Sequence, residues 1–443
     1  MKKLTWLLLT TFAASPLFAA DLMQVYRDAQ ENDPVFSAAR STLDAGREKM
    51  PQGRAGLLPS LTLSGNTVWN ENDVSFVNNN SLNAKAHFNS NGYQATLSQP
   101  LFRWQNWVNY DQSKIMVAQA EANFLLAKQD LILRVAQAYF DVIYASENLK
   151  ALQANKASIS QQLASAKKNF EVGTATITDS HEAQARYDLA LAQEIAAESD
   201  LEVKQRALQS IIGKEPGPLA QPRKDAQLSP PQPSDMNQWV AAAETDSITV
   251  QVQKANAEIA AREISKQRAG HYPTVDLVAN VGTAKSLGST SIGLLNTDYQ
   301  NIGIQVNIPI FLGGQTLSRQ REAAANSSTA QSNLEAAKRN AALFARQYYL
   351  GVVNGLAQVR ALKAALVSSQ SSLESNKLGY EVGVRINIDV LNAENQVYIT
   401  RRDLAKATLD TLIAQLKLKA TTGALSEDDV AEINALLEPK TVQ

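Results

Sequence analysis

One nine-residue stretch occurs in two versions. "EVGTATITD" stands at 171–179 and "EVGVRINID" at 381–389, 210 residues apart (381 − 171). Both begin Glu-Val-Gly, end in Asp and lead into a long Ala/Gln/Leu-rich run. The same offset places Phe170 on Tyr380, Asp179 on Asp389, Ala183 on Ala393 and Gly213 on Gly423. Upstream the offset drifts. "RAGLLPSLTL" at 54–63 answers "RAGHYPTVDL" at 268–277 (268 − 54 = 214), and "PLF" at 100–102 answers "PIF" at 309–311 (309 − 100 = 209). The length difference falls between those pairs, where a surface loop would absorb it. The chain is therefore two homologous repeats, 21–213 and 241–423, joined by a segment at 214–240 whose prolines and glycines break any helix. Two copies are too few for a solenoid.

Within each half the hydrophobic period changes twice. Residues 21–56 and 236–270 read as helices. Alternating runs follow, as hairpins at about 58–102 and 273–311. In 61–69, Leu61, Leu63 and Trp69 share a face opposite Thr62, Ser64 and Asn66; in 93–99, Tyr93, Ala95 and Leu97 oppose Gln94, Thr96 and Ser98. In 275–282, Val275, Leu277, Ala279 and Val281 oppose Asp276 and Asn280. In 302–310, four isoleucines and Val306 oppose Gly303, Gln305, Asn307 and Pro309. Each run fits the ~9–11 residues that cross a bilayer as a strand, and the uncharged polar face suits a wet lumen. Aromatics gather near the ends: Trp69, Phe102, Trp104 and Trp107 in one half, Tyr272, Tyr299 and Phe311 in the other. That pattern reads as an interfacial girdle. The links 70–92 and 283–301, rich in Asn, Ser and Gly, read as external loops.

Residues 1–20 read as a secretory signal, removed after Ala19 or Ala20: "MKK", a short apolar run and a small-residue site before Asp21. No later stretch reaches the ~20 apolar residues of a transmembrane helix, so any membrane span must be built from strands. Four strands cannot close a barrel, and open sheet edges are not tolerated in lipid. Several chains must then share one barrel.

After each hairpin comes a long helical stretch. Phe102 to Phe170 is 68 residues (170 − 102), and Phe311 to Tyr380 is 69 (380 − 311). At ~1.5 Å per residue that is about 100 Å. Ala118, Ala122, Leu125, Ile132, Ala136, Tyr139 and Ile143 keep a 3–4 spacing, interrupted by Gln129, and predict a coiled-coil seam. Gly173 and Gly383 supply the positive φ of a tight turn. The chain then returns in helices at 178–213 and 388–423, so the two Glu-Val-Gly stretches are tips of helical hairpins. Composition excludes much else. The 443 residues carry no cysteine, three scattered histidines (His87, His181, His271) and a net charge of −1. Disulfides, thiol catalysis and metal-ligand spacing are absent, and nothing favours nucleic acid.

On these residues the chain resembles the TolC family of outer-membrane efflux and secretion channels. The specific marks are "DLMQVYRDAQENDP" at 21–34, "LLPSLTL" at 57–63, "EVGTATITD", "HYPTVDL" at 271–277, "PIFLGG" at 309–314 and "GYEVGVRINIDVLNAEN" at 379–395. The resemblance implies a mainly α protein with a membrane β-barrel. Three chains would close twelve strands, continuous with a long α-helical coiled-coil periplasmic tunnel. An equatorial domain would come from 214–240 and 424–443. The implied location is the cell outer membrane of a Gram-negative bacterium, with the helical part in the periplasm. The implied partners are its own copies, the lipid bilayer, a periplasmic adaptor (membrane fusion protein), and an inner-membrane efflux pump or ABC secretion transporter. The duct would conduct passively, need no cofactor and catalyse nothing.

The resemblance also assigns site residues. Tyr380 and Arg385 on the second hairpin would meet Thr178 and Asp179 on the first and hold the tip shut. Val172, Gly173, Val382 and Gly383 would meet the adaptor. Of two acidic rings at the entrance, Asp389 matches one; the other position holds Asn392. A single ring implies weak block by multivalent cations, strengthened by Asn392→Asp. The plainer reading of Asp179 and Asp389 is helix capping. Two other classes compete: a soluble periplasmic coiled-coil scaffold or adaptor, which needs no girdle, and a secreted helical enzyme, for which no motif is found.

Overall fold

A computed structural model describes residues 20–75, 77, 83–174, 176–223, 227–289 and 293–438. All but Ala20 of the signal segment lies outside the described residues. The chain begins with three helices, α1 (Leu22–Asn32), α2 (Pro34–Arg47) and α3 (Lys49–Ala55). Strands β1 (Ser60–Val74) and β2 (Ala84–Phe102) lead into α4 (Trp104–Glu171) and the returning α5 (Ile177–Ile212). A short strand β3 (Gln221–Pro222) precedes α6 (Met236–Asp246) and α7 (Ile248–Arg268). The pattern then repeats as β4 (Thr274–Ser289), β5 (Gly293–Asn307), α8 (Gln315–Glu381) and α9 (Asn387–Thr421), closed by α10 (Glu427–Asn434) and β6 (Leu437–Glu438). The two descending helices run 68 and 67 residues, as a stretch free of proline allows.

Two compact units result, and neither coincides with a repeat: each takes segments from both halves. One comprises 41–124 and 249–337 and contains the sheet, whose order is β1-β2-β4-β5 with every pairing antiparallel. The strands are 15, 19, 16 and 15 residues long. Most of the expected external links is therefore strand: Val74 faces Ala84, and Ser289 faces Gly293. Asn- and Ser-rich composition does not end a strand whose backbone is paired. Lys85 and Asp73, directly opposite each other, add an ion pair at 3.2 Å.

The alternation survives. Leu61, Leu63, Trp69, Ile302, Ile304 and Val306 are all exposed. The other face carries a polar network. Gln94 Nε2 donates to Asn280 Oδ1 at 2.7 Å, Thr96 Oγ1 donates to the same atom at 2.8 Å, and Asn280 Nδ2 donates to Asn301 Oδ1 at 2.9 Å. Tyr299 belongs to this face: its hydroxyl donates to Gln94 Oε1 at 3.0 Å. It is not a girdle residue, because its place in the period-2 register follows Asn301 rather than Ile302. At the junction of the halves, Arg103 grips Asp276 with two 2.7 Å bonds. The outer edges, β1 and β5, have no partner strand among the described residues.

The other unit comprises 20–40, 125–248 and 338–438. Its core holds Leu131, Ile132, Tyr139 and Phe140 of α4 with Leu412 and Leu416 of α9, all nearly fully buried; each such side chain contributes about 1.5–3 kcal/mol. The expected seam is half realised. Ile132, Ala136, Tyr139 and Ile143 are buried, while Ala118 and Leu125 are exposed. Gln129 is itself buried, and its amide reaches the Leu425 carbonyl at 3.4 Å. The segments 214–240 and 424–443 meet through β3 and β6, and the Asn434 side chain donates to Asp21 at 3.0 Å. Asp33, between α1 and α2, is buried; its Oδ2 accepts from Arg134 Nη2 at 2.7 Å and from the Phe36 amide at 3.0 Å.

One expectation about membrane helices changes. α8 is long and apolar enough to cross a membrane by length and composition. Part of its apolar surface is uncovered: Leu350 is 48% exposed and Val353 39%, although Ala345 and Val352 are fully buried; their α4 equivalents Phe140 and Ile143 (350 − 210, 353 − 210) are 1% and 3% exposed. At these positions the first copy of the helix is covered and the second is not.

Candidate functional site

Both tips are built the same way. The Thr174 amide donates to Asn169 O at 2.8 Å and that of Gly173 to Phe170 O at 3.0 Å; the Val384 amide donates to Gly379 O at 2.8 Å and that of Gly383 to Tyr380 O at 3.1 Å. This paired bonding is a Schellman stop, which needs a left-handed residue. Gly173 and Gly383 take it, at φ 76° and 80°. Val172 and Val382 stand exposed beside them.

The restarts differ. Thr176 caps α5 in a reciprocal box: the Asp179 amide donates to Thr176 Oγ1 at 3.3 Å, and Asp179 Oδ2 accepts from the Thr176 amide at 3.0 Å. Asp179 is thus a capping residue, and Thr178 beside it is exposed. In the second copy the cap position is Ile386, which has no side-chain acceptor. Asp389 is left outside any side-chain cap and faces Arg385 at 3.7 Å. One repeat position therefore holds a capping carboxylate in one hairpin and an ion-paired one in the other. Within the chain, neither Tyr380 nor Arg385 bonds to Thr178 or Asp179 among the described contacts; Arg385 packs instead over Gly379.

The hairpins are joined by contacts that motif reading missed. Glu394 of α9 is buried and accepts from Ser158 Oγ at 2.7 Å and Gln162 Nε2 at 2.9 Å on α4, and from Lys377 Nζ of α8 at 3.0 Å. The repeat held a signal: at offset 210, Lys377 and Glu394 overlie Lys167 and Gln184, which bond to each other at 3.1 Å. Tyr398 donates to Asn148 at 2.9 Å. Ile159 and Ala190 pack on Leu391 with Tyr187 against them. Arg186 of α5 donates from Nη2 to Asn392 Oδ1 at 3.0 Å and to Glu182 at 3.4 Å. Asn392 is therefore not a bare gap in an acidic pattern; it holds a cation.

An open, long-stranded sheet with an exposed apolar face, in a chain that also carries paired helical hairpins of this length, defines a class of outer-membrane channel proteins. The chain belongs to the outer membrane efflux protein family, whose model matches residues 25–214 and 239–424. With that family of efflux channel proteins it is placed in the outer membrane of a Gram-negative cell. It is 30% identical to the outer membrane protein TolC of Vibrio cholerae, covering 96% of this chain and 95% of that one. It is also 30% identical to the proteases secretion protein PrtF of Dickeya chrysanthemi, covering 96% and 92%. Among solved structures it resembles the Campylobacter jejuni CmeC outer membrane channel, with a TM-score of 0.80 at 17% identity over 94% of this chain and 90% of that one.

Proposed function

We propose that three copies of this chain form the exit duct of a tripartite efflux pump or type I secretion system. Substrates delivered by an inner-membrane transporter pass through it without chemistry at the channel. The observation that carries the reading is incompleteness. β1 and β5 are long, unpaired edges beside an exposed apolar face, a combination that lipid does not tolerate. The uncovered α8 face tells the same story in the helices. Joining β5 of one copy to β1 of the next covers both edges, and three copies give twelve strands (4 × 3). Strands of 15 residues or more exceed the ~9–11 that span lipid, so each would project beyond the bilayer. An adaptor would dock on the exposed Val172 and Val382 tips. Tyr380 and Arg385 would close the tip by bonds to Thr178 and Asp179 across hairpins, opening as an iris.

The internal repeat supplies the missing register. Within the chain, Ala95 on β2 faces Val281 on β4. Moving each by its repeat offset gives Ile304 (95 + 209) and Thr67 (281 − 214). The Cα atoms of such opposed residues are about 4.5–5.5 Å apart, within disulfide reach. A chain carrying Thr67→Cys with Ile304→Cys has no other cysteine to confuse the result. Mild oxidation of the protein in its membrane is expected to give covalent dimers and trimers on non-reducing gels, and neither single variant should exceed a monomer. A chain that stays monomeric on gels and in detergent sizing would sink the trimer and favour the soluble scaffold.

A further inference from the structure

We infer that Arg186 of the first hairpin, held against Asn392 of the second, places a positive charge at the periplasmic entrance and so lowers its preference for cations. The inference rests on the reading above that Asp389 and Asn392 line that entrance. Two oppositely charged pairs lie on either side of Asn392, one on each hairpin. Asp389 pairs with Arg385 at 3.7 Å, and Arg186 approaches Glu182 at 3.4 Å while its Nη2 holds Asn392 at 3.0 Å. Their formal charges cancel (−1 + 1 − 1 + 1). The guanidinium is not fully used: Arg186 Nε is buried and has no acceptor among the described residues. A carboxylate at 392 would meet this cation before it met solvent, because an arginine fork binds carboxylate at two points more strongly than it binds an amide. The second hairpin thus presents no free acidic ring, and an acid placed at 392 does not create one.

This changes the simple expectation for Asn392→Asp. A ring of free carboxylates in a narrow mouth concentrates multivalent cations, but a carboxylate consumed by Arg186 adds nothing to that field. The two positions should therefore be coupled rather than additive.

The test is block of single channels by spermidine added from the periplasmic side, with reversal potentials in a salt gradient. Asn392→Asp alone is expected to change the blocking constant by about twofold or less. Arg186→Gln with Asn392→Asp should tighten it by about tenfold or more and shift the reversal potential toward cations. Arg186→Lys with Asn392→Asp should fall back toward the single variant, which separates charge from packing. Asn392→Asp carries the test even where Arg186→Gln does not assemble. Tight block by Asn392→Asp alone would overturn the inference. Asp389→Ala distinguishes the two levels. If it alters block while the Arg186 substitutions do not, the inference fails and the entrance assignment stands. If none of these variants alters block or reversal potential, both fall.

Discussion

Single channels of the Tyr380→Phe, Arg385→Ser variant are expected to conduct more than the parent and to close less often. The substitutions remove the phenolic donor and the guanidinium that, in the proposed closed tip, would bond Thr178 and Asp179 across the hairpins. A hydrogen bond to a charged partner contributes about 1.5–3 kcal/mol, and exposure at the tip places these near the lower bound. In the proposed trimer three copies would act on one opening, so even the lower bound would amount to several kcal/mol, and each 1.4 kcal/mol shifts an equilibrium tenfold. Within one chain Arg385 also pairs with Asp389. Its removal frees a carboxylate, so cation preference should rise along with conductance. Planar-bilayer recordings read both. Unchanged conductance would take Tyr380 and Arg385 out of the gate, and Asp389→Ala in the same background would show whether the freed carboxylate alone is responsible.

Asp33→Ala should strongly destabilise the helical unit. Asp33 caps α2 through the Phe36 amide and holds Arg134 of α4, and it is 3% exposed. Its removal loses a cap worth about 1 kcal/mol and leaves a partly buried guanidinium with Asp130 alone. Breaking a buried pair costs about 3–5 kcal/mol; the 30% exposure of Arg134 argues for the lower end. Burial pushes the Asp33 carboxyl up, but the Arg134 and Phe36 bonds outweigh it and hold the group below the ordinary carboxylate value. A group held low in the folded state stabilises above its unfolded pKa, about 4, and that contribution is lost as pH falls toward the folded value. Heat dissociation in detergent should therefore fall sharply for Asp33→Ala at neutral pH, less for Asp33→Asn, which keeps an acceptor for the cap. The gap from the parent should narrow below about pH 4. Equal dissociation temperatures at pH 7 would contradict this.

The sequence made the repeat, the strands and the tips readable because each is local. Alternation fixes a face, and a glycine after a long helix fixes a turn. Three features escaped for separate reasons. The ends of β1 and β4 hide in Asn/Ser-rich composition because ladder pairing, not residue type, holds them. Tyr299 was misplaced because an aromatic near a strand end suggests an interface, whereas register puts it on the polar face. The Arg186–Asn392 and Asp33–Arg134 contacts join residues 206 and 101 positions apart, and no short motif encodes such a meeting.

The Arg103–Asp276 clamp has a consequence for how such a protein came to be. It sits where the first half meets the second. In the proposed trimer the repeat would place Leu312 and Thr62 (103 + 209, 276 − 214) at the corresponding seam between neighbouring chains. An ancestral ring assembled from six identical single-repeat chains would have carried one kind of seam six times. Any charge there would have appeared at all six, and a change harmful at one would have been harmful everywhere. Fusing two copies into one gene frees alternate seams to diverge. One can be welded by an ion pair formed as the chain folds, while the other stays neutral and awaits a neighbour. The capping threonine at 176 against isoleucine at 386, and glutamate at 394 against glutamine at 184, record the same freedom at the opposite end of the helices.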